Sequence, residues 1–128
     1  KYLSGGNISS INSMYLDPNT SAKKDVAIIT AEFSDGSIGS INYFSNSSEV
    51  LPKERLEIYC DGKVIELDNF KNMKTFNCNG LNDNKLLKID KGQNNMVKSL
   101  KKALEDGDPS PIPQEDILEI SRKILEIN

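Results

Sequence analysis

Four charges fall within five residues at Lys53, Glu54, Arg55 and Glu57, next to the polar loop Ser45-Asn46-Ser47-Ser48-Glu49. Lys53 and Arg55 could clamp a sugar or a carboxylate there, although cross-strand pairing with acidic neighbours accounts for the same residues and is the preferred reading. Lys53 is the better ligand candidate, because it stands at the mouth of a strand where a small molecule can approach. Tyr43, with Asn42 and Ser45, offers hydroxyl and amide groups suited to a polyol, and is equally at home on an exposed sheet face. Lys91, in Asp90-Lys91-Gly92, sets a cation beside the N-terminus of a helix, which suits an anion; as a helix-opening turn it needs none. Asp35 and Asp61 each precede a glycine, where aspartate is preferred for backbone reasons, so the pair reads as turns rather than as catalytic carboxylates. Histidine is absent from the chain. That removes Ser-His and Cys-His catalytic pairs and the usual mixed-ligand zinc site, and no metal is expected.

The elements that position these residues follow from periodicity. Pro52 cannot donate to a sheet ladder and marks the last residue before a strand. From Glu54 the side chains alternate, with Leu56, Ile58 and Cys60 on one face and Arg55, Glu57 and Tyr59 on the other. Asp61-Gly62 turns this strand into residues 64–67. Upstream, residues 26–33 are β-branched and apolar on both faces, and Asp35-Gly36 turns them into residues 38–44. Two consecutive hairpins imply an antiparallel meander, to which residues 74–78 and 86–89 add one strand each. Residues 7–16 fit neither period, and 17–21, Asp17-Pro18-Asn19-Thr20-Ser21, form a loop by composition. After Gly92 the spacing of Met96, Val97, Leu100, Ala103 and Leu104 predicts a helix with one apolar stripe, stopped at Asp106-Gly107-Asp108-Pro109. A last helix starts near Pro113, with Glu115 and Asp116 at the positive end of its dipole and Ile117, Leu118, Ile120, Ile124 and Leu125 as its buried stripe.

Length and charge narrow the function. A chain of 128 residues is one domain by length and buries roughly two-thirds of its unfolded surface. With 19 acidic against 16 basic residues, a net charge of -3 and only Arg55 and Arg122 as arginines, it has no electrostatic footprint for nucleic acid. Its longest apolar run, Val26-Ala27-Ile28-Ile29, falls far short of the roughly 20 residues of a membrane span. The two cysteines, Cys60 and Cys78, read as reduced thiols of a cytoplasmic protein.

Several of these segments together are similar to a known family. Ser34-Asp35-Gly36-Ser37-Ile38-Gly39-Ser40-Ile41-Asn42-Tyr43 followed by Pro52-Lys53-Glu54-Arg55-Leu56-Glu57-Ile58, then Val64-Ile65-Glu66-Leu67-Asp68-Asn69-Phe70, Ile89-Asp90-Lys91-Gly92-Gln93 and Pro109-Ser110-Pro111-Ile112-Pro113, resemble the C-terminal domain of the Gfo/Idh/MocA oxidoreductases. Gln93 stands where one branch of that family has histidine. The resemblance covers nearly the whole chain and makes residues 7–16 a strand. It implies an α+β domain, a mostly antiparallel β-sheet with helices packed on one face, and treats residues 1–128 as a single C-terminal fragment cut inside a helix of which Lys1 to Ser4 are the tail. An upstream Rossmann domain would then be its partner, binding NAD or NADP, and the catalytic residues would lie upstream as well. The substrate would be a sugar, polyol or similar small hydroxy compound, with Tyr43, Lys53 and Lys91 as substrate-binding candidates. The open sheet face would build a homo-oligomer by face-to-face packing. The other reading of the chain is a non-catalytic β-sheet dimerisation or binding module.

Overall fold

Alternating segments joined by glycine-containing turns become strands, and the two apolar-striped segments become helices. The computed structural model describes residues 1–16 and 25–127, so the loop expected at residues 17–21 lies outside the described residues. The strands are β1 (Ile8–Tyr15), β2 (Val26–Phe33), β3 (Ile38–Phe44), β4 (Arg55–Cys60), β5 (Lys63–Asp68), β6 (Asn72–Phe76) and β7 (Asn84–Lys85), and the helices are α1 (Gln93–Asp106) and α2 (Gln114–Glu126). All pairings are antiparallel. The fold is α+β.

The strands expected in one meander form two sheets, β1-β2-β3 and β4-β5-β6-β7. Nothing pairs β3 with β4 among the described residues. Their connection is spent on two successive turns, Ser47 N to Phe44 O at 3.2 Å and Leu51 N to Ser48 O at 3.1 Å, followed by Pro52, which has no N–H to give. The chain divides accordingly into two units, Lys1–Ser47 with Ala103–Asn128, and Ser48–Lys102.

In the first unit β2 is central. The register Tyr15, Ala27, Tyr43 and Ser13, Ile29, Ile41 defines one face, and Met14, Ile28, Asn42 and Asn12, Thr30, Ser40 the other. Helix α2 is tied to the first face: the Tyr15 hydroxyl donates to Ile127 O at 2.6 Å and the Ser13 hydroxyl to the same oxygen at 3.4 Å. The N-terminal end of β1 is tied to α2 as well, with Ile8 N–H donating to Glu119 Oε1 at 2.6 Å. Lys1 reaches Glu119 Oε2 at 2.5 Å and Asp116 at 3.2 Å. Before β1, residues 1–5 make one helical turn, Gly5 N to Lys1 O at 2.9 Å.

In the second unit the register Leu56, Leu67, Met73 and Ile58, Ile65 gathers five apolar side chains on one face, as the alternation requires, while Arg55, Glu57, Glu66, Asp68 and Lys74 lie on the other. The β4–β5 turn is the two-residue Asp61-Gly62, both in the left-handed region at φ 48° and 71°, which is the hairpin geometry that Asp-Gly favours. A Cβ at Gly62 would meet open space, so Gly62→Ala should cost only the backbone penalty of about 1–2 kcal/mol. Urea unfolding followed by hydrogen exchange in β4 and β5 checks this, and an unchanged midpoint would contradict it. Helix α1 ends as expected, with Gly107 at φ 70° and Asp108 N–H closing onto Ala103 O at 2.9 Å, the six-to-one bond of a left-handed helix stop.

Two expectations are corrected. Residues 86–89 are not a strand, because after Lys85 the backbone turns over the β5–β6 connection, with Leu86 N–H on Lys71 O and Asp90 N–H on Phe70 O. The stripe of α2 is also not buried: Ile117, Leu118, Ile120, Ile124 and Leu125 are 38–74 % exposed. Among the described residues only Val26, Ala27 and Ala103 are buried hydrophobics. The chain leaves 10554 Å² in water, whereas two separate globular units of half its mass would together expose about 8,200 Å². Cys60 and Cys78 are free thiols, and no helix among the described residues is long and apolar enough to cross a membrane.

Candidate functional site

The second unit brings together three of the segments that the sequence singles out. Strand β5 runs into a turn whose Asn69 and Phe70 both have positive φ, 50° and 51°. For a bulky phenylalanine this region is rare and costs about 1–2 kcal/mol. Backbone bonds offset that cost from both sides: Asn69 N–H donates to Glu54 O at 2.7 Å, Lys71 N–H to Asp68 O at 3.0 Å and Asp90 N–H to Phe70 O at 3.1 Å. Lys91 closes the arrangement, with its ammonium 5.6 Å from the Phe70 ring centroid and ion-paired to Glu54 Oε1. Gly92 N–H returns to Asp90 Oδ1 at 2.8 Å and opens α1. The Lys91 cation is therefore committed to a carboxylate and a ring within its own unit.

Beside this turn, the polar face of the second sheet carries two cross-strand rows, Arg55, Asp68, Asn72, Lys85 and Glu57, Glu66, Lys74. A shallow cleft of about 560 Å³ lies over these rows and is also bordered by Asp83. Arg55 is held on its own strand by Glu57, at 2.6 and 2.8 Å, and the Tyr59 hydroxyl donates to the other Glu57 oxygen at 3.0 Å. The guanidinium, with help from that hydroxyl, holds the Glu57 carboxyl below its ordinary range; the same carboxylate raises both Arg55 and Tyr59. Asp83 accepts from Thr75 N–H at 2.8 Å and from the Thr75 hydroxyl at 3.2 Å. Asn72 Oδ1 is buried without a hydrogen-bond partner among the described residues. The mixed donors and acceptors of such a face can hold a small polar group. Among the described residues, no three His, Cys, Asp or Glu side chains gather where they could hold a metal ion.

The candidates from the sequence are dispersed. Tyr43 lies on β3 of the first unit and is exposed. Lys53 and Lys91 belong to the second unit, where Lys53 is exposed and makes no ion pair among the described residues, while its neighbour Glu54 takes Lys91. Within the charged run at residues 53–57, Arg55 pairs along its own strand with Glu57 rather than across strands, and Glu54 pairs outside the run with Lys91. Asp35 is a turn residue: Ser37 N–H and the Ser37 hydroxyl each donate to its carboxylate at 3.0 Å, and these bonds, the backbone one first, lower its pKa. Sequence reasoning offered none of Glu66, Asp68, Asn72, Lys74 and Lys85 as a site residue. Their signal was alternation along β5 and β6, legible only once the two strands are set in register. Comparisons of the chain with protein-family models, with curated proteins and with solved structures find no match.

Proposed function

We propose that the chain is a non-catalytic β-sheet module that self-associates, its apolar surfaces completed by a second copy. The observation that carries this is the shortage of interior: residues patterned for a core, on β3 and on both helices, stand in water in the single chain. A charge-rich polar face whose arginine is already held by Glu57 suits recognition or assembly. Sedimentation equilibrium and light scattering test the reading. A homodimer burying roughly 1,200–2,000 Å² or more is expected, and a strictly monomeric chain at high concentration overturns it.

A narrower form of the proposal rests on the sequence resemblance: the module would be the substrate-side and assembly domain of a cytoplasmic NAD(P)-dependent dehydrogenase acting on a sugar, polyol or related hydroxy compound. What favours it is that two of the family-like segments meet, Asp90 N–H on Phe70 O. In that form the nicotinamide belongs to a Rossmann domain, and Tyr43 and Lys53 flank a loop facing the substrate. The 128 residues alone then bind neither NADH nor NADPH, since a phosphate-cradling glycine loop is missing from their sequence. Micromolar binding in calorimetry would sink that narrower form and leave the dimer to be judged by sedimentation.

A further inference from the structure

Sheet edges are templates for further pairing, and proteins guard them with bulges, charges, proline or shortness. Three of the four edges here carry such guards. β1 has a register shift between Ile8 and Ser10, β4 follows Pro52 and bears Arg55 and Glu57, and β7 is two residues long. β3, Ile38-Gly39-Ser40-Ile41-Asn42-Tyr43-Phe44, has no charge, no proline and no bulge, and all seven of its residues are exposed. Ile38 is 83 %, Ile41 63 %, Tyr43 58 % and Phe44 50 % in water. Among the described residues no strand lies beyond it.

We infer that β3 pairs antiparallel with β3 of a second copy, about a two-fold axis at Ile41, to make one continuous six-stranded sheet. The inference rests on the self-association reading above and names its interface. The backbone fixes which groups are free to pair. Phe33 N–H bonds to Ser37 O and Ser45 N–H to Asp25 O, so with the observed register the odd-numbered residues of β3 point their N–H and C=O at β2. Those of Ile38, Ser40, Asn42 and Phe44 point outward. Centring on Ile41 makes Ser40 with Asn42 and Ile38 with Phe44 hydrogen-bonded pairs, and Ile41 with Ile41 a close non-hydrogen-bonded one. Side chains then match pair by pair: isoleucine on isoleucine, isoleucine on phenylalanine, and Tyr43 over Gly39, where an aromatic ring covers the strand glycine.

Asn42→Pro is the first test, because its lost N–H is an outward one and the β2 ladder keeps all its bonds. The wild-type chain is expected to be a dimer, and the variant a folded monomer by circular dichroism, its dissociation constant raised about tenfold or more. In a Cys60→Ser, Cys78→Ser background, Ile41→Cys should form an intermolecular disulfide on mild oxidation, since non-hydrogen-bonded partners lie about 4.5–5.5 Å apart. Asn42→Cys, offset from its own symmetry mate, should not. If Asn42→Pro fails to fold, the cysteine pair decides alone. A dimer that survives Asn42→Pro and cross-links no faster through Ile41→Cys than through Asn42→Cys overturns the edge pairing, as face-to-face packing would, while the self-association reading stands. A monomeric wild type overturns both.

Discussion

Ala27→Asp is expected to unfold the first unit and to leave the second one folded. Ala27 is 6 % exposed, in the middle of the central strand, in register between Tyr15 and Tyr43 on the face to which α2 is tied. A carboxylate there is buried between Tyr15 and Tyr43, with no cation in register beside it among the described residues, at a cost of about 3–5 kcal/mol. A unit of this size has at most about 4–10 kcal/mol of total stability, and this one has few buried residues from which to draw it. Strands β4 to β7 depend on a separate set of apolar contacts, Leu56, Ile58, Ile65, Leu67 and Met73. Hydrogen exchange should therefore show β1 and β2 amides unprotected in the variant while β5 and β6 amides keep their wild-type rates. Simultaneous loss of protection in both units would mean that they fold as one cooperative body.

That division is the part of the fold that sequence reasoning could not reach. The limits of β2, β3 and β4 were legible because their signals are local: an apolar run, then Asp-Gly, then alternation after a proline. Whether β3 and β4 share a sheet depends on a pairing across a ten-residue connection, and no residue type in the loop encodes it. The ambiguity of residues 7–16 has a physical source. The register shift between Ile8 and Ser10 sets Ile8 and Ile11 on one face although they are three apart, so an intact strand shows neither a period of two nor of 3.6. The helical stripes were legible as stripes. What covers them was not, since amphipathicity states only that some apolar partner is needed.

The candidate site divides in the same way. Lys91 and Glu54 were both visible as charges, but their pairing required the β5–β6 turn to hold Phe70 in a left-handed conformation, and phenylalanine gives no warning of that. Lys53, the favoured ligand cation on sequence grounds, and Tyr43 fall in different units. The connection between them closes two short turns, Ser47 N–H on Phe44 O and Leu51 N–H on Ser48 O, which its run of serines and asparagines did not specify.

A pH dependence of the first unit should come from Glu119. Lys1 first, then the Ile8 N–H, hold its carboxyl below the ordinary value of 4.5, and Glu119 in turn holds the Lys1 ammonium above 10.5. A carboxyl with a lowered folded pKa contributes stability that is complete above its unfolded value and is lost as pH falls through the folded one. A lysine with a raised folded pKa contributes stability that is complete below its unfolded value and is lost as pH rises through the folded one. The first unit should therefore hold a plateau between those limits and weaken beyond either. Asp35 is lowered as well and adds to the acid limb, so the wild-type curve alone does not single out Glu119. Glu119→Gln does. Its amide oxygen can still accept from Ile8 N–H, while the charge facing Lys1 is gone. In thermal unfolding the variant should melt below the wild type at neutral pH, and the two curves should converge as pH falls from 4.5 through the lowered folded value, below which Glu119 is neutral in the folded protein as well. Parallel curves, separated by the same interval at pH 7 as under acid conditions, would show that the carboxylate's charge does not link α2 to β1.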